Sequence, residues 1–103
     1  MVDMDINTSI DGGQVIVTLS GKMYVEEATI LREKLLSFME KGHKEFVIKI
    51  SHVDYIDSSG LGVLVAIQKR ALQMKGSVKI VGATGIVKEL FELTRLNKIF
   101  EMQ

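Results

Sequence analysis

The sequence predicts an α/β fold: a mixed β-sheet of four to five strands, helices covering mainly one face, and the order ββαβαβα(β). Three observations carry this. Apolar, β-branched runs at residues 14–20 and 46–50 are each followed by a stretch where apolar residues recur at helical spacing. Gly12-Gly13 joins the first two strand-like runs as a hairpin turn, which pairs them antiparallel. The strand–helix–strand units that follow call for parallel pairing with right-handed crossovers.

In order, residues 4–10 alternate loosely and read as the first strand. Asp11-Gly12-Gly13 is the turn, because glycine supplies the positive φ that a tight hairpin needs. Residues 14–20 form the second strand, and Gly21-Lys22-Met23-Tyr24 is expected to leave the sheet. From about 26 to 41, Ala28, Leu31, Leu35, Phe38 and Met39 fall at helical spacing, with Arg32, Glu33, Lys34 and Glu40 available for the wet side. Gly42 is the stop signal. Residues 46–50 are a buried strand.

A second helix spans about 59–75 and closes at Gly76. It carries two apolar stripes: Leu61, Leu64, Val65, Gln68 and Leu72 on one, Val63, Ile67, Ala71 and Met74 on the other. A helix lying on one sheet face needs only one broad stripe. The surplus is assigned to packing against neighbouring helices, with a partner surface as the alternative. Residues 78–81 are a short strand and 82–85 a loop. Ile86, Val87, Leu90 and Phe91 mark a third, short helix, and 99–102 is a last strand at an edge.

At 103 residues the chain is expected to form one domain. Thirteen basic residues balance thirteen acidic ones, which removes the electrostatic case for nucleic acid or an anionic membrane. Without cysteine there are no disulfides, thiolate catalysis or Cys-based zinc sites. No apolar run approaches the roughly 18 residues of a spanning helix. The acidic start, Met1 to Ile6, does not read as a signal peptide. The expectation is a cytoplasmic protein that needs no cofactor.

The chemistry concentrates at 53–64. Asp57, Ser58 and Ser59 are all good helix-capping residues, and Gly60 and Gly62 keep the first turn bare so that another backbone can approach. A serine there is presented rather than buried, where the helix dipole and free N–H groups favour an anion such as phosphate. Hydrolase chemistry is disfavoured: there is no Gly-x-Ser-x-Gly, and the only histidines, His43 and His52, read as solvated loop residues. His52, Asp54 and Asp57 lie on one flexible connection with no second ligand set, so no metal site is assigned. Gly60-Leu61-Gly62 and Gly82-Ala83-Thr84-Gly85 match neither dinucleotide nor P-loop patterns and read as tight turns, with nucleotide binding as the minor alternative.

The run Ile56-Asp57-Ser58-Ser59-Gly60-Leu61-Gly62-Val63-Leu64 resembles the phosphorylation segment of bacterial anti-sigma-factor antagonists, small proteins of the STAS domain class. The second strand with Ser20-Gly21, the 46–50 strand and the tail from Leu90 to Phe100 fall in family order. The resemblance implies a STAS-like fold and a partner-switching cycle. In it, the unphosphorylated form binds an anti-sigma factor that is also a serine kinase. Phosphorylation, at Ser58 here, releases it, and a metal-dependent serine phosphatase resets it. Asp57, Ser58, Ser59, Gly60, Leu61 and Gly62 would form the docking surface of a protein that is not an enzyme.

Two departures stand out. Tyr24 occupies the place where many relatives have an aspartate, and the family's closing helix is short or missing, which would leave an edge for weak homodimerisation. The alternative on the same fold is an unphosphorylated scaffold or accessory subunit, for example of a lipid transporter or signalling assembly.

Overall fold

The computed structural model describes residues 2–103. Strand β1 (Met4–Asp11) turns into β2 (Gln14–Met23). Helix α1 (Val25–Glu40), β3 (Glu45–Ile56), α2 (Ser58–Gln73), β4 (Ser77–Val81), α3 (Gly85–Leu93) and β5 (Glu101–Met102) follow, with a 3-10 turn at Leu96–Lys98. The sheet order is β1-β2-β3-β4-β5. The first pair is antiparallel and the rest are parallel. Asp11 pairs directly with Gln14, and both intervening glycines have positive φ, +57° at Gly12 and +84° at Gly13. That conformation belongs to a two-residue hairpin whose twist matches the strands.

One core forms on one side of the sheet. Val15, Val17 and Leu19 of β2, Phe46, Ile48 and Ile50 of β3, and Val78 and Ile80 of β4 pack with Ala28, Leu31 and Leu35 of α1, Leu64, Ile67 and Ala71 of α2, and Val87 and Phe91 of α3. Ile16, Val47 and Val81, on alternate strand positions, take no part in it. Because each crossover advances one strand in the same direction, right-handed connections place successive helices on the same face. Half-buried Leu61, Val63, Val65 and Met74 pack against this core, while Leu72 is exposed. The surplus stripe of α2 is thus partly spent against α1, its neighbour.

The two long strands run further than their sequence suggests. Residues 21–23 stay in the sheet instead of leaving it, and β3 continues six residues beyond Ile50. The reason is two irregularities in the pairing. Thr18 lies opposite Lys49 but Ser20 opposite His52, and Gly21 lies opposite Val53 but Lys22 opposite Tyr55. At each step β3 carries an extra residue. The inward positions therefore become Ile48, Ile50, Val53 and Ile56, all buried. Spacing of three breaks the two-residue alternation by which strands are recognised. His52 and Asp54 consequently sit exposed on this strand rather than on a flexible connection. His43, expected to be solvated, is half-buried with its ring edge-on to Phe38.

Glu27 anchors the N-terminal end. Its buried carboxylate accepts the Asp3 N–H at 2.7 Å and the Tyr24 N–H at 2.9 Å, tying the chain before β1 to the start of α1. The Asp3 bond, then the Tyr24 bond, hold this carboxyl below its ordinary value of 4.5. A carboxylate depressed in the folded state contributes stability above its unfolded value, and that contribution is lost as pH falls through the folded one. The melting temperature of the wild type is therefore expected to exceed that of Glu27→Gln at pH 7. The gap should close as pH is lowered below about 4.5. A gap that persists unchanged at pH 3 would sink this assignment.

Candidate functional site

The site grows out of the register between β2 and β3. Met23 and Ile56 lie side by side at the strand ends. The Asp57 N–H donates to the Met23 carbonyl at 3.0 Å, which fixes the exit from β3. Extended at φ −86° and ψ −178°, Asp57 caps α2: its Oδ1 accepts the Gly60 N–H at 3.0 Å and its carbonyl accepts the Leu61 N–H at 3.0 Å. Such caps contribute about 1 kcal/mol. Of the three candidate capping residues, the structure uses the first.

Ser58 is then the first residue of α2, one earlier than the sequence suggests. It is exposed, and neither its hydroxyl nor its N–H has a hydrogen-bond partner among the described residues. Ser59 and Leu61 are half-buried. The two glycines differ. Gly60 is buried, and a Cβ there would lie 2.6 Å from both Ile56 Cγ2 and Met23 Sδ, so Gly60 belongs to the packing under the turn. Gly62 is exposed, and a Cβ there would meet nothing within 4 Å. Ser58 and Gly62 therefore form the open face of the segment, with Asp57, Ser59 and Leu61 at its edges. No acidic side chain lies in the first turn of α2. The helix N-terminus there favours an added anion by roughly 0.3–1 kcal/mol.

Two residues of consequence escaped the sequence reading. Glu27 follows Tyr24 at the spacing of a capping box, but the leading Ser or Thr that marks such a box is absent. Gln68 was placed on an apolar stripe. It is buried, donates through Nε2 to the Ile99 carbonyl at 2.8 Å, and accepts the Val78 N–H at 2.9 Å. A lone amide among apolar neighbours was the available signal.

Elsewhere, Thr84 precedes α3 without a side-chain cap. Among the described residues no cluster of His, Asp and Glu is grouped to hold a metal ion, and no helix is long and apolar enough to cross a membrane. A cleft of about 320 Å³ lies between α3 and the C-terminal strand, lined by Lys88, Phe91, Glu92, Asn97, Met102 and others, and shares no residue with the Ser58 segment.

Comparison with known proteins gives this geometry a context. The anti-sigma-B factor antagonist of Bacillus subtilis (strain 168) is 33% identical over 101 residues, a match spanning 96% of this chain and 92% of that protein. The crystal structure of an anti-sigma factor antagonist from Mycobacterium paratuberculosis superposes with a TM-score of 0.85 at 22% identity, covering 96% of this chain and 84% of that one. The Bacillus protein SpoIIAA, solved in unphosphorylated and phosphorylated forms, gives TM-scores of 0.80 and 0.79 at 14% identity; each match covers 96% of this chain, and 87% and 91% of the two SpoIIAA chains. The STAS domain family matches residues 2–103. With its sequence matched along that whole span and its fold shared with these structures, the chain belongs to the STAS domain family.

Proposed function

We propose that this protein is an anti-sigma factor antagonist that works by partner switching. Unphosphorylated, it binds an anti-sigma factor that is also a serine kinase; phosphorylation of Ser58 breaks the complex, and a metal-dependent serine phosphatase restores it. The protein acts as a binding module and kinase substrate rather than as an enzyme. One observation carries the reading: Ser58 is an exposed, unpaired hydroxyl at the first position of a helix whose cap is already supplied by Asp57. The hydroxyl is therefore not needed by the fold and is accessible to a kinase. The names of the relatives point to the same partner class, and SpoIIAA was solved in a phosphorylated form.

The physics favours a switch of binding over a switch of fold. A phosphoryl group adds about −1.5 to −2 charges. At the start of α2 those charges face a helix dipole of favourable sign and remain in water, so the domain tolerates them. A partner seated on Ser58 and Gly62 would have to bury them. Leaving a charge buried and uncompensated costs several kcal/mol, which is orders of magnitude in affinity.

Phosphosite mapping by mass spectrometry on protein from its own cells, with and without phosphatase inhibition, tests this reading. The expected result is phosphate on Ser58. Ser58→Asp should lose binding to the anti-sigma factor by at least about 100-fold, from the cost of burying its charge, while Ser58→Ala binds like the wild type and cannot be released by ATP. Equal activity of the two variants, with Ser58 unmodified in growing and stressed cells, would overturn the switch in favour of a scaffold role.

A further inference from the structure

We propose that β1 is a strand-addition edge. It accepts, alongside itself in the sheet, an extended segment of a partner protein that carries Lys or Arg on one side and apolar residues on the other. The site shares no residue with the Ser58 segment and does not depend on the antagonist reading.

Only half of the β1 backbone is used by the fold. The strand is the first in the order β1-β2-β3-β4-β5 and pairs with β2 alone among the described residues. The Lys22 N–H donates to the Asp3 carbonyl at 2.9 Å, so Asp3 turns its backbone groups towards β2. Along an antiparallel strand these groups alternate in direction. Asp5, Asn7, Ser9 and Asp11 therefore bond to β2, while the N–H and C=O groups of Ile6, Thr8 and Ile10 point away from it into solvent. The pairing runs from Met4 to Asp11 without a bulge, and the strand contains no proline, lysine or arginine. Native edges are commonly blunted by short length, bulges, proline or lysine. The opposite edge is blunted by its length, since β5 is only the two residues Glu101–Met102. With eight residues, β1 is not.

The side chains say what fits there. Ile6, Thr8 and Ile10 share the helix side of the sheet with their β2 partners Leu19, Val17 and Val15. Ile6 is half-buried, Thr8 is exposed and Ile10 is 54% exposed. Apolar side chains on an incoming strand would cover them as cross-strand pairs. The other side of the strand carries Asp5, Asn7, Ser9 and Asp11, all exposed. Opposite Asp5 and Asp11 on β2 lie Ser20 and Gln14, and neither carboxylate has a basic partner among the described residues. Every charge on the strand is thus negative and unpaired.

That pattern decides between a second copy of the chain and a different one. A second β1 has two antiparallel registers that join the outward groups over most of the strand. One sets Ile6 against Thr8 and Asp3 against Asp11; the other sets Ile6 against Ile10 and Asp5 against Asp11. Two-fold symmetry repeats each like-charge pair, and like charges directly opposite destabilise a sheet. A strand bearing Lys or Arg opposite Asp5 and Asp11 turns the same positions into attractions. In such strand addition, main-chain bonds supply the affinity and alternate side chains the specificity.

Hydrogen exchange followed by NMR on the full chain tests this. The probe is the end-capped peptide Lys-Val-Thr-Val-Thr-Val-Lys, and the control is the same peptide with glutamate at both ends. The probe sets valines against Ile6, Thr8 and Ile10 and lysines against Asp5 and Asp11. At millimolar concentration it should slow exchange of the Ile6, Thr8 and Ile10 amides by about tenfold or more, and the control should not. Thr8→Pro removes an outward donor and leaves the ladder to β2 in place, so it should abolish the effect. Asp5→Lys combined with Asp11→Lys should reverse the preference between the two peptides, and it decides should Thr8→Pro fail to fold. No slowing with the probe, or equal slowing with both peptides, would overturn the proposal. Slow exchange at these amides without peptide, growing with protein concentration, would also overturn it and assign the edge to a second copy.

Discussion

Replacing Gln68 with leucine is expected to destabilise the protein by about 2–4 kcal/mol, because the buried Val78 N–H loses its partner at about 1–3 kcal/mol and the part-buried Ile99 carbonyl loses its own at about 1 kcal/mol. The effect follows from how the sheet ends. Strand β5 pairs with β4 only at Lys79 and Ile80, so it does not reach the Val78 N–H. The Gln68 amide fills that gap: its oxygen accepts the Val78 N–H, and its nitrogen donates to the Ile99 carbonyl just before β5. A helix side chain thus stands in for one rung of the ladder and locks the 96–102 segment to α2. Leucine has the volume but no polar atoms, so the comparison isolates hydrogen bonding from packing. A loss of this size should lower the melting temperature by roughly ten degrees or more in a domain this small. Amide exchange should speed up first at Val78 and in the C-terminal segment. A loss below about 1 kcal/mol, the net value of one ordinary hydrogen bond, would mean that water replaces the amide and the bridge is not structural.

The same bridge shows where sequence reasoning stopped. Helical periodicity placed Gln68 correctly on the inner face of α2, and it could go no further, because hydrogen bonds between residues 10 and 31 apart leave no local pattern. Element order, the hairpin turn, the parallel crossovers and the one-sided core were legible, since each follows from periods of 2 or 3.6 and from glycine at positive φ. The second half of β3 was not, because two extra residues shift its inward positions to every third one. The capping role of Asp57 was among the expectations, and the structure selects it over its serine neighbours by geometry: its carbonyl and carboxylate both meet the first turn. What separates Gly60 from Gly62 is invisible in sequence, where the two look equivalent.

That separation gives the sharpest test of the site. Gly60→Ala and Gly62→Ala should move stability in opposite directions. At residue 60 the new methyl group would press on Ile56 and Met23 beneath the turn, both buried. Overpacking of this kind typically costs 1–3 kcal/mol, and α2 would have to lift from the strand ends to relieve it. At residue 62 the methyl group points into open space, and alanine removes the entropic penalty of glycine inside a helix, a gain of roughly 0.5–1 kcal/mol. On folding grounds alone, Gly62 is a residue the protein would do better without. If the surface over Ser58 and Gly62 is where the anti-sigma factor seats its own backbone, the more stable Gly62→Ala variant must bind less tightly, because the added methyl occupies the space of close approach. Chemical denaturation and calorimetric titration on the same two variants read both quantities. A Gly62→Ala protein that is more stable and also binds like the wild type would show that the open face of α2 is not the contact surface. A more stable protein with binding weakened tenfold or more would tie the glycine to its partner rather than to its fold.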